Sequence, residues 1–200
     1  MKTVQIWLAD VRRLEGREEA LIHLLTPNRR EAALRASRED RFHSLGAGLL
    51  LRDVLGITED ADVRIGGHGK PELVSGQPHF NLSHGGHYAV LAVSDVPVGV
   101  DVEHVSDTLS VPVPRRWLKD DELAWLEEER TPERFARLWT RLESALKADG
   151  SGLAMENRTF SVLEGGSPWH LRTFLRDGHV ISCAAAEDFA VQWNEWVPTV

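Results

Sequence analysis

Asp101 and Glu103 sit two apart in Val98-Gly99-Val100-Asp101-Val102-Glu103, a stretch that alternates like a strand. Side chains at i and i+2 of a strand share a face. The two carboxylates therefore stand together, with Val98, Val100 and Val102 on the other side. Two anions this close repel unless a cation lies between them; the alternative is a pair of solvated acids at the strand's exit. Further on, Trp139, Glu143 and Lys147 recur at i, i+4 and i+8 of a helical pattern over 132–149, which lines them up on one face. They are either an ordinary helix ion pair beside a core tryptophan or part of a site. Gly150 and Gly152 stop that helix and leave its end open to a ligand. Lys70, in Gly69-Lys70-Pro71, is a compact positive charge on a stiff loop and suits a phosphate. Ser83 and His84 are neighbours on a strand and point to opposite faces, so they do not form a serine–histidine couple. His84 and His87 have no third ligand of the usual kind nearby, which speaks against zinc.

Taken together, Asp101, Glu103 and Glu143 are three carboxylates that suit a hard divalent cation, and Mg²⁺ typically shares its shell with substrate phosphates and water. Lys70, Lys147, His84 and an arginine-rich stretch are what a polyphosphate needs. That stretch, residues 28–52, sets Arg29, Arg30, Arg35, Arg38, Arg41 and Arg52 against Glu31, Glu39 and Asp40. It reads equally as a solvated helix face with i,i+4 pairs or as a local anion site. Carboxylates and cations without a Walker-type loop point to metal-assisted phosphate transfer outside the P-loop class.

The elements that position these groups can be read from periodicity. A strand is expected at 3–9, a helix at 15–25, helices over 28–56 ending at Gly56, and a short strand at 61–65. After a Gly/Pro loop from Gly66 to Pro78, strands end at Ser83-His84 and cover Tyr88–Val93 and Val98–Glu103. Helices follow at 119–129 and 132–149, then strands near 158–163, 170–175 and 179–186. A weak echo relates Gly86-His87-Tyr88 to Gly178-His179-Val180. It suggests two similar α+β halves meeting near residue 100, one spanning 1–100 and the other 101–200, packed as one pseudo-dimer.

The 200 residues carry a net charge of −8, which speaks against a nucleic-acid partner. No apolar run approaches the roughly 20 residues that span a bilayer. The single cysteine, Cys183, excludes an internal disulfide framework and a cysteine zinc site, and a cytoplasmic protein is the expectation.

Four motifs in order resemble those of the 4′-phosphopantetheinyl transferase family, in the long form that activates peptide and polyketide synthases. They are Gly69-Lys70-Pro71, Phe80-Asn81-Leu82-Ser83-His84, Gly99-Val100-Asp101-Val102-Glu103, and Trp139 through Lys147 followed by Gly150. The segment Pro27 to Arg52 is similar to the family's basic stretch. The resemblance implies two related α/β halves with the active site in the cleft between them, acting as a monomer. It implies Mg²⁺ on Asp101, Glu103 and Glu143, with Glu143 and Lys147 as the catalytic pair. Coenzyme A would be the co-substrate, held by Arg29, Ser44, Arg52, Lys70, Pro71, Ser83, His84 and Lys147, with His84 at the 3′-phosphate. An acyl or peptidyl carrier protein would receive the arm on its serine, and Arg115, Arg116 and Trp117 are candidates to meet it. One departure stands out: Leu142 replaces the family's usual lysine before the helix glutamate, with Arg141 alongside. Two other functions stay open on these residues: coenzyme A or carrier binding without transfer, and a metal-dependent phosphohydrolase.

Overall fold

Alternating apolar residues make the strands of this chain, and two 18-residue apolar stripes make its long helices. A computed structural model describes residues 1–67, 69–105, 117–150, 158–163 and 165–198. The order is β1 (Lys2–Asp10), α1 (Glu18–Ile22), α2 (Pro27–Arg35), α3 (Arg38–Leu55), β2 (Val63–Ile65), β3 (Pro71–Leu73), β4 (His79–Gly85), β5 (Tyr88–Ser94), β6 (Val98–His104), α4 (Asp120–Glu128), α5 (Pro132–Asp149), β7 (His170–Arg176), β8 (His179–Ala185) and β9 (Phe189–Trp196).

Both long helices are bounded by their own sequence. Ser37 and Thr131 accept from the backbone amides of Asp40 and Arg134, each at 3.2 Å. Gly56 and Gly150 close the helices in the left-handed region, at φ 70° and 74°, where a residue without Cβ is favoured.

One sheet has the order β4-β5-β1-β9 and the other β6-β8-β7, with β2 and β3 forming a small separate ladder. The registers show a repeat. Hairpin β4-β5 pairs His79 with Ser94 and lays β5 against β1; hairpin β7-β8 pairs His170 with Ala185 and lays β8 against β6. Matching the registers makes β1 equivalent to β6, and α3 with Gly56 equivalent to α5 with Gly150. Tyr88 and His179 then hold equivalent places, each the first residue after a two-residue turn. The sequence echo is one residue out of step with this register. β9 lies outside the repeat and pairs in parallel with β1.

Alternation sorts the apolar side chains into layers. Val4, Ile6, Leu8, Val90 and Ala92 of one sheet meet Val98, Val100, Val102, Ile181 and Cys183 of the other in a central core. Opposite faces are covered by α3, through Leu45, Leu49 and Leu50, and by α5, through Leu138, Leu142 and Leu146. Among the described residues no helix is long and apolar enough to cross a membrane.

Two expectations are corrected, and one strand is added. The helix at 15–25 shortens to α1, because the chain beyond it closes in tight turns, Leu24 N–H to Leu21 O and Leu25 N–H to Ile22 O. Residues 158–163 form no strand. There Arg158 is buried against Glu122 of α4 at 2.5 Å, and the Val162 amide donates to the same carboxylate, so side-chain bonds replace a ladder. The strand β9 was not read from the sequence; its apolar residues, Phe189, Val191, Trp193 and Trp196, are interleaved with polar ones and fall out of alternation at the end.

The approach of α5 to β6 fixes the geometry of everything nearby. An ideal Cβ on Gly99 would lie 2.0 Å from Ser144 O and 2.4 Å from Ala148 N, both backbone atoms that cannot move aside. Gly99→Ala is expected to lower stability by about 3 kcal/mol in denaturant unfolding, whereas Gly67→Ala, where the new methyl meets nothing, stays near the parent. Equal stability of the two variants would mean that α5 can lift off β6 at little cost.

Candidate active site

Gly99, Asp101 and Glu103 occupy alternate positions of β6 and share the face that α5 covers, while Val98, Val100 and Val102 enter the central core. With the α5 backbone seated on Gly99, Lys147 reaches Asp101: its Nζ lies 2.5 Å from Oδ1. Ser83 on β4 joins them, donating to the same Oδ1 at 2.8 Å and lying 3.2 Å from Lys147 Nζ. β4 and β6 are edge strands of different sheets running side by side. Asn81 Oδ1 accepts from Val100 N–H at 2.9 Å, and a Cβ on Gly85 would strike Val102 O at 2.4 Å. The cluster therefore lies on the seam between the two sheets and draws on both repeats.

The acids are electrostatically strained. Burial, then the charge of Asp101, raises Glu103 to about 7, with Glu143 adding and Lys147 opposing. Glu143 is raised for the same first two reasons, again opposed by Lys147. Asp101 Oδ2 is buried with no hydrogen-bond partner among the described residues. Three oxygen donors, two of them reluctant to ionise and one orphaned, fit a hard divalent cation. As the side chains stand, no three acids, imidazoles or thiols among the described residues surround a single point at ligand distance. That is compatible with Mg²⁺, which typically takes one or two carboxylates and completes its shell with water and substrate phosphate.

Other expected site residues are placed differently. Lys70 Nζ lies 3.0 Å from Val98 O and 3.2 Å from Ala148 O, bracing the start of β6 against the last turn of α5; burial lowers its pKa. With Pro71, Phe80, Pro97, Asp149 and Gly150 it lines a cavity of about 400 Å³. Arg29 is half-buried at the start of α2, its pKa lowered by burial and opposed by Asp60. Arg52 pairs with Asp53 at 2.7 Å, and Ser44 is half-buried on α3. No hydrogen bond or ion pair joins Arg29, Ser44 or Arg52 to the cluster among the described residues. In the arginine-rich stretch, Arg35 pairs with Glu31 and Arg38 with Glu15, as a solvated helix face does.

His84 remains exposed, and one face of its ring stacks on His43 of α3, with centroids 4.8 Å apart. Burial, then His43 and Lys147, lower its pKa, with Asp40 and Asp101 opposing. Leu142 is fully buried in the core beneath α5, so this position faces the core and not the acids. Arg141 donates to Val162 O at 2.7 Å and to Thr173 Oγ1 at 3.3 Å. Trp117 packs on Trp139, whereas Arg115 and Arg116 lie outside the described residues, as does Gly152.

Sequence reasoning missed His43, Asn81 and the bracing role of Lys70. Asn81 carried a signal, being a polar residue between apolar strand neighbours; His43 carried none, since a histidine inside an arginine-rich helix looks like surface.

The first repeat has no counterpart to this cluster. Register places Trp7 and Ala9 at the positions of Asp101 and Glu103, and the helix caps place Leu49 and Asp53 at those of Glu143 and Lys147. Asp53 accepts instead from Trp196 Nε1, at 2.9 Å.

Asp101, Glu103, Glu143 and Lys147 thus meet on a seam of a mixed α+β fold. A family model described as the 4′-phosphopantetheinyl transferase superfamily matches residues 97–196, which hold Asp101, Glu103, Glu143 and Lys147. The chain is 27% identical over 195 residues to 4′-phosphopantetheinyl transferase Sfp of Bacillus subtilis (strain 168), covering 86% of this chain and 87% of that one. It is 29% identical over 195 residues to 4′-phosphopantetheinyl transferase ffp of Bacillus subtilis, with the same coverage. It is 33% identical over 130 residues to 4′-phosphopantetheinyl transferase gsp of Aneurinibacillus migulanus, covering 61% of this chain and 54% of that one. The chain belongs to the 4′-phosphopantetheinyl transferase superfamily.

The raised acid gives the site a pH signature. Between the ordinary glutamate value of 4.5 and about 7, the folded chain keeps a proton on Glu103 that the unfolded chain has released. Stability therefore falls as pH rises through this window and levels off above it. Thermal unfolding in the presence of a chelator should show this decline, and Glu103→Gln should make it shallower, with Glu143 supplying what remains; superimposable pH profiles would rule Glu103 out as a source.

Proposed function

We propose that this chain transfers the 4′-phosphopantetheine arm of coenzyme A to a serine of an apo acyl or peptidyl carrier protein, with Mg²⁺ held by Asp101, Glu103 and Glu143. The observation that carries this reading is the seam cluster itself, in which an orphaned Asp101 oxygen, two acids with raised pKa and Lys147 lie together within the span that the family model matches. A bound divalent cation would supply charge neutralisation to the pyrophosphate.

The chain's residues do the rest. The carrier serine oxygen attacks the phosphorus bearing the pantetheine arm. The bond from that phosphorus to the bridging oxygen breaks, and 3′,5′-adenosine bisphosphate leaves with the bond's electrons. Glu143 takes the serine proton directly or through water. Lys147 shifts from Asp101 towards the phosphates and offsets the charge that develops on the leaving group. His84, exposed beside Lys147, binds the 3′-phosphate; Ser83 adds a hydroxyl, while Arg29, Ser44 and Arg52 approach the nucleotide from α2 and α3. Lys70 and Pro71 form a wall of the neighbouring cavity, and Lys70 meets a phosphate only if it releases its two carbonyls.

A single chain supplies every named group, which supports a monomer dividing into related halves near residue 100. The net charge of −8 supports a reading without a nucleic-acid partner, and the single cysteine one in the cytoplasm. The burial of Leu142 removes the main reason for reading the chain as a non-catalytic binder.

Intact mass of an apo carrier protein, incubated with this protein, coenzyme A and Mg²⁺, should rise by one phosphopantetheine arm. The gain should vanish with a chelator, and Glu143→Ala should lower the rate about 100-fold or more. No gain on acyl or peptidyl carriers, with coenzyme A still bound, would overturn the transfer; release of inorganic phosphate from nucleotides alone would indicate a phosphohydrolase.

A further inference from the structure

His84 is exposed, and its ring has no hydrogen bond to a protein group among the described residues. An imidazole meant to meet an anion in one direction needs something else to hold it. The holder is His43. Its ring stacks on His84 with centroids 4.8 Å apart and planes 17° from parallel, a contact of the kind that orients flat rings. His43 is only 5% exposed, and its Nε2 lies 2.8 Å from Gly86 O. A carbonyl only accepts, so Nε2 carries the hydrogen and His43 is anchored at that end.

The anchor is rigid in turn. Gly86 forms the β4-β5 turn at φ 55°, and a Cβ there would lie 2.1 Å from His179 Nε2; a Cβ on its neighbour Gly85 would lie 2.4 Å from Val102 O. The turn is wedged between β6 and β8, its carbonyl fixes His43, and His43 fixes the plane of His84. Buried and already bonded, His43 does not itself reach a ligand.

We infer that His43 is a positioning residue for His84, and that the stacked pair confers the enzyme's preference for the 3′-phosphorylated form of its nucleotide substrate. This rests on the reading of His84 as the ligand of the 3′-phosphate. The ring of His43 carries the effect, because it removes the rotational freedom that His84 would otherwise lose on binding. Freezing one such side chain in advance changes affinity about three- to ten-fold.

The test is steady-state transfer to an apo carrier with coenzyme A and with 3′-dephospho-coenzyme A, on variants whose melting temperatures are measured first. His84→Ala should abolish the preference for coenzyme A. His43→Gln, which keeps a donor for Gly86 but removes the ring, should raise KM for coenzyme A about three- to ten-fold, with kcat and the KM for the dephospho form unchanged. His43→Phe, which restores a flat ring without the donor, should recover most of that loss. If His43→Gln raises both KM values together, lowers kcat on both substrates, or changes nothing while His84→Ala abolishes the preference, the positioning role is overturned and the phosphate assignment stands. If His84→Ala keeps the preference, the phosphate assignment fails and takes the inference with it. Should His43→Gln not fold, His43→Leu, also ringless, is read by the same criteria.

Discussion

Helix α5 lies on strand β6 so closely that its backbone fills the space a side chain at Gly99 would need. Two carboxylates of the strand and the acid and lysine of the helix are thereby held across a distance set by main-chain contact, which has little slack. Side chains alone rarely hold charged groups this firmly, because each long one loses rotamer freedom when it is ordered. Here Asp101 is buried and bonded by Ser83 and Lys147 before any ligand arrives. The apolar face of β6 contributes as well: Val98, Val100 and Val102 are buried in the core between the sheets, so the strand cannot rotate its acids away. Lys70 bolts the same two elements together beside that contact, at the last turn of the helix.

The cluster also depends on a seam that carries no regular ladder. β4 and β6 belong to different sheets, and the structure joins them by side-chain bonds from Asn81 and Ser83 and by the lack of a Cβ at Gly85. A seam of this kind leaves room for polar chemistry where a continuous sheet would have placed paired amides. The buried pair of Glu122 and Arg158 does comparable work farther out, tying α4 to the chain that follows α5 through an ion pair to which Trp117 O and the Val162 amide add further bonds.

Much of this was legible in the sequence because it follows from local periodicity. The shared face of Asp101 and Glu103 is a two-residue rule, and the alignment of Glu143 with Lys147 a four-residue rule; neither needs knowledge of the fold. The long helices could be read from their apolar spacing and from Gly56 and Gly150 at their ends. What could not be read depends on partners distant in the chain. Lys70 looks like a free cation until Val98 and Ala148 are brought to it. Residues 158–163 alternate well enough to suggest a strand, but Arg158 is drawn inward by an acid 36 residues away. The stack of His43 on His84 joins a helix to a strand across 41 residues, and nothing in either neighbourhood announces it. The repeat was visible only faintly, because the two copies retain geometry and not side chains: where one has Asp101, the other has Trp7.

The parallel pairing of β1 with β9, from Lys2 opposite Phe189 to Ala9 opposite Trp196, bears on how the chain is made. The ribosome delivers β1 some 180 residues before its neighbour on that side. Until then the first sheet has an open edge along β1, a template for unwanted pairing with other chains. The indole of Trp196 closes onto Asp53 as that edge is covered. The strand outside the repeat thus acts as a late clasp over an edge that would otherwise stay open to other chains.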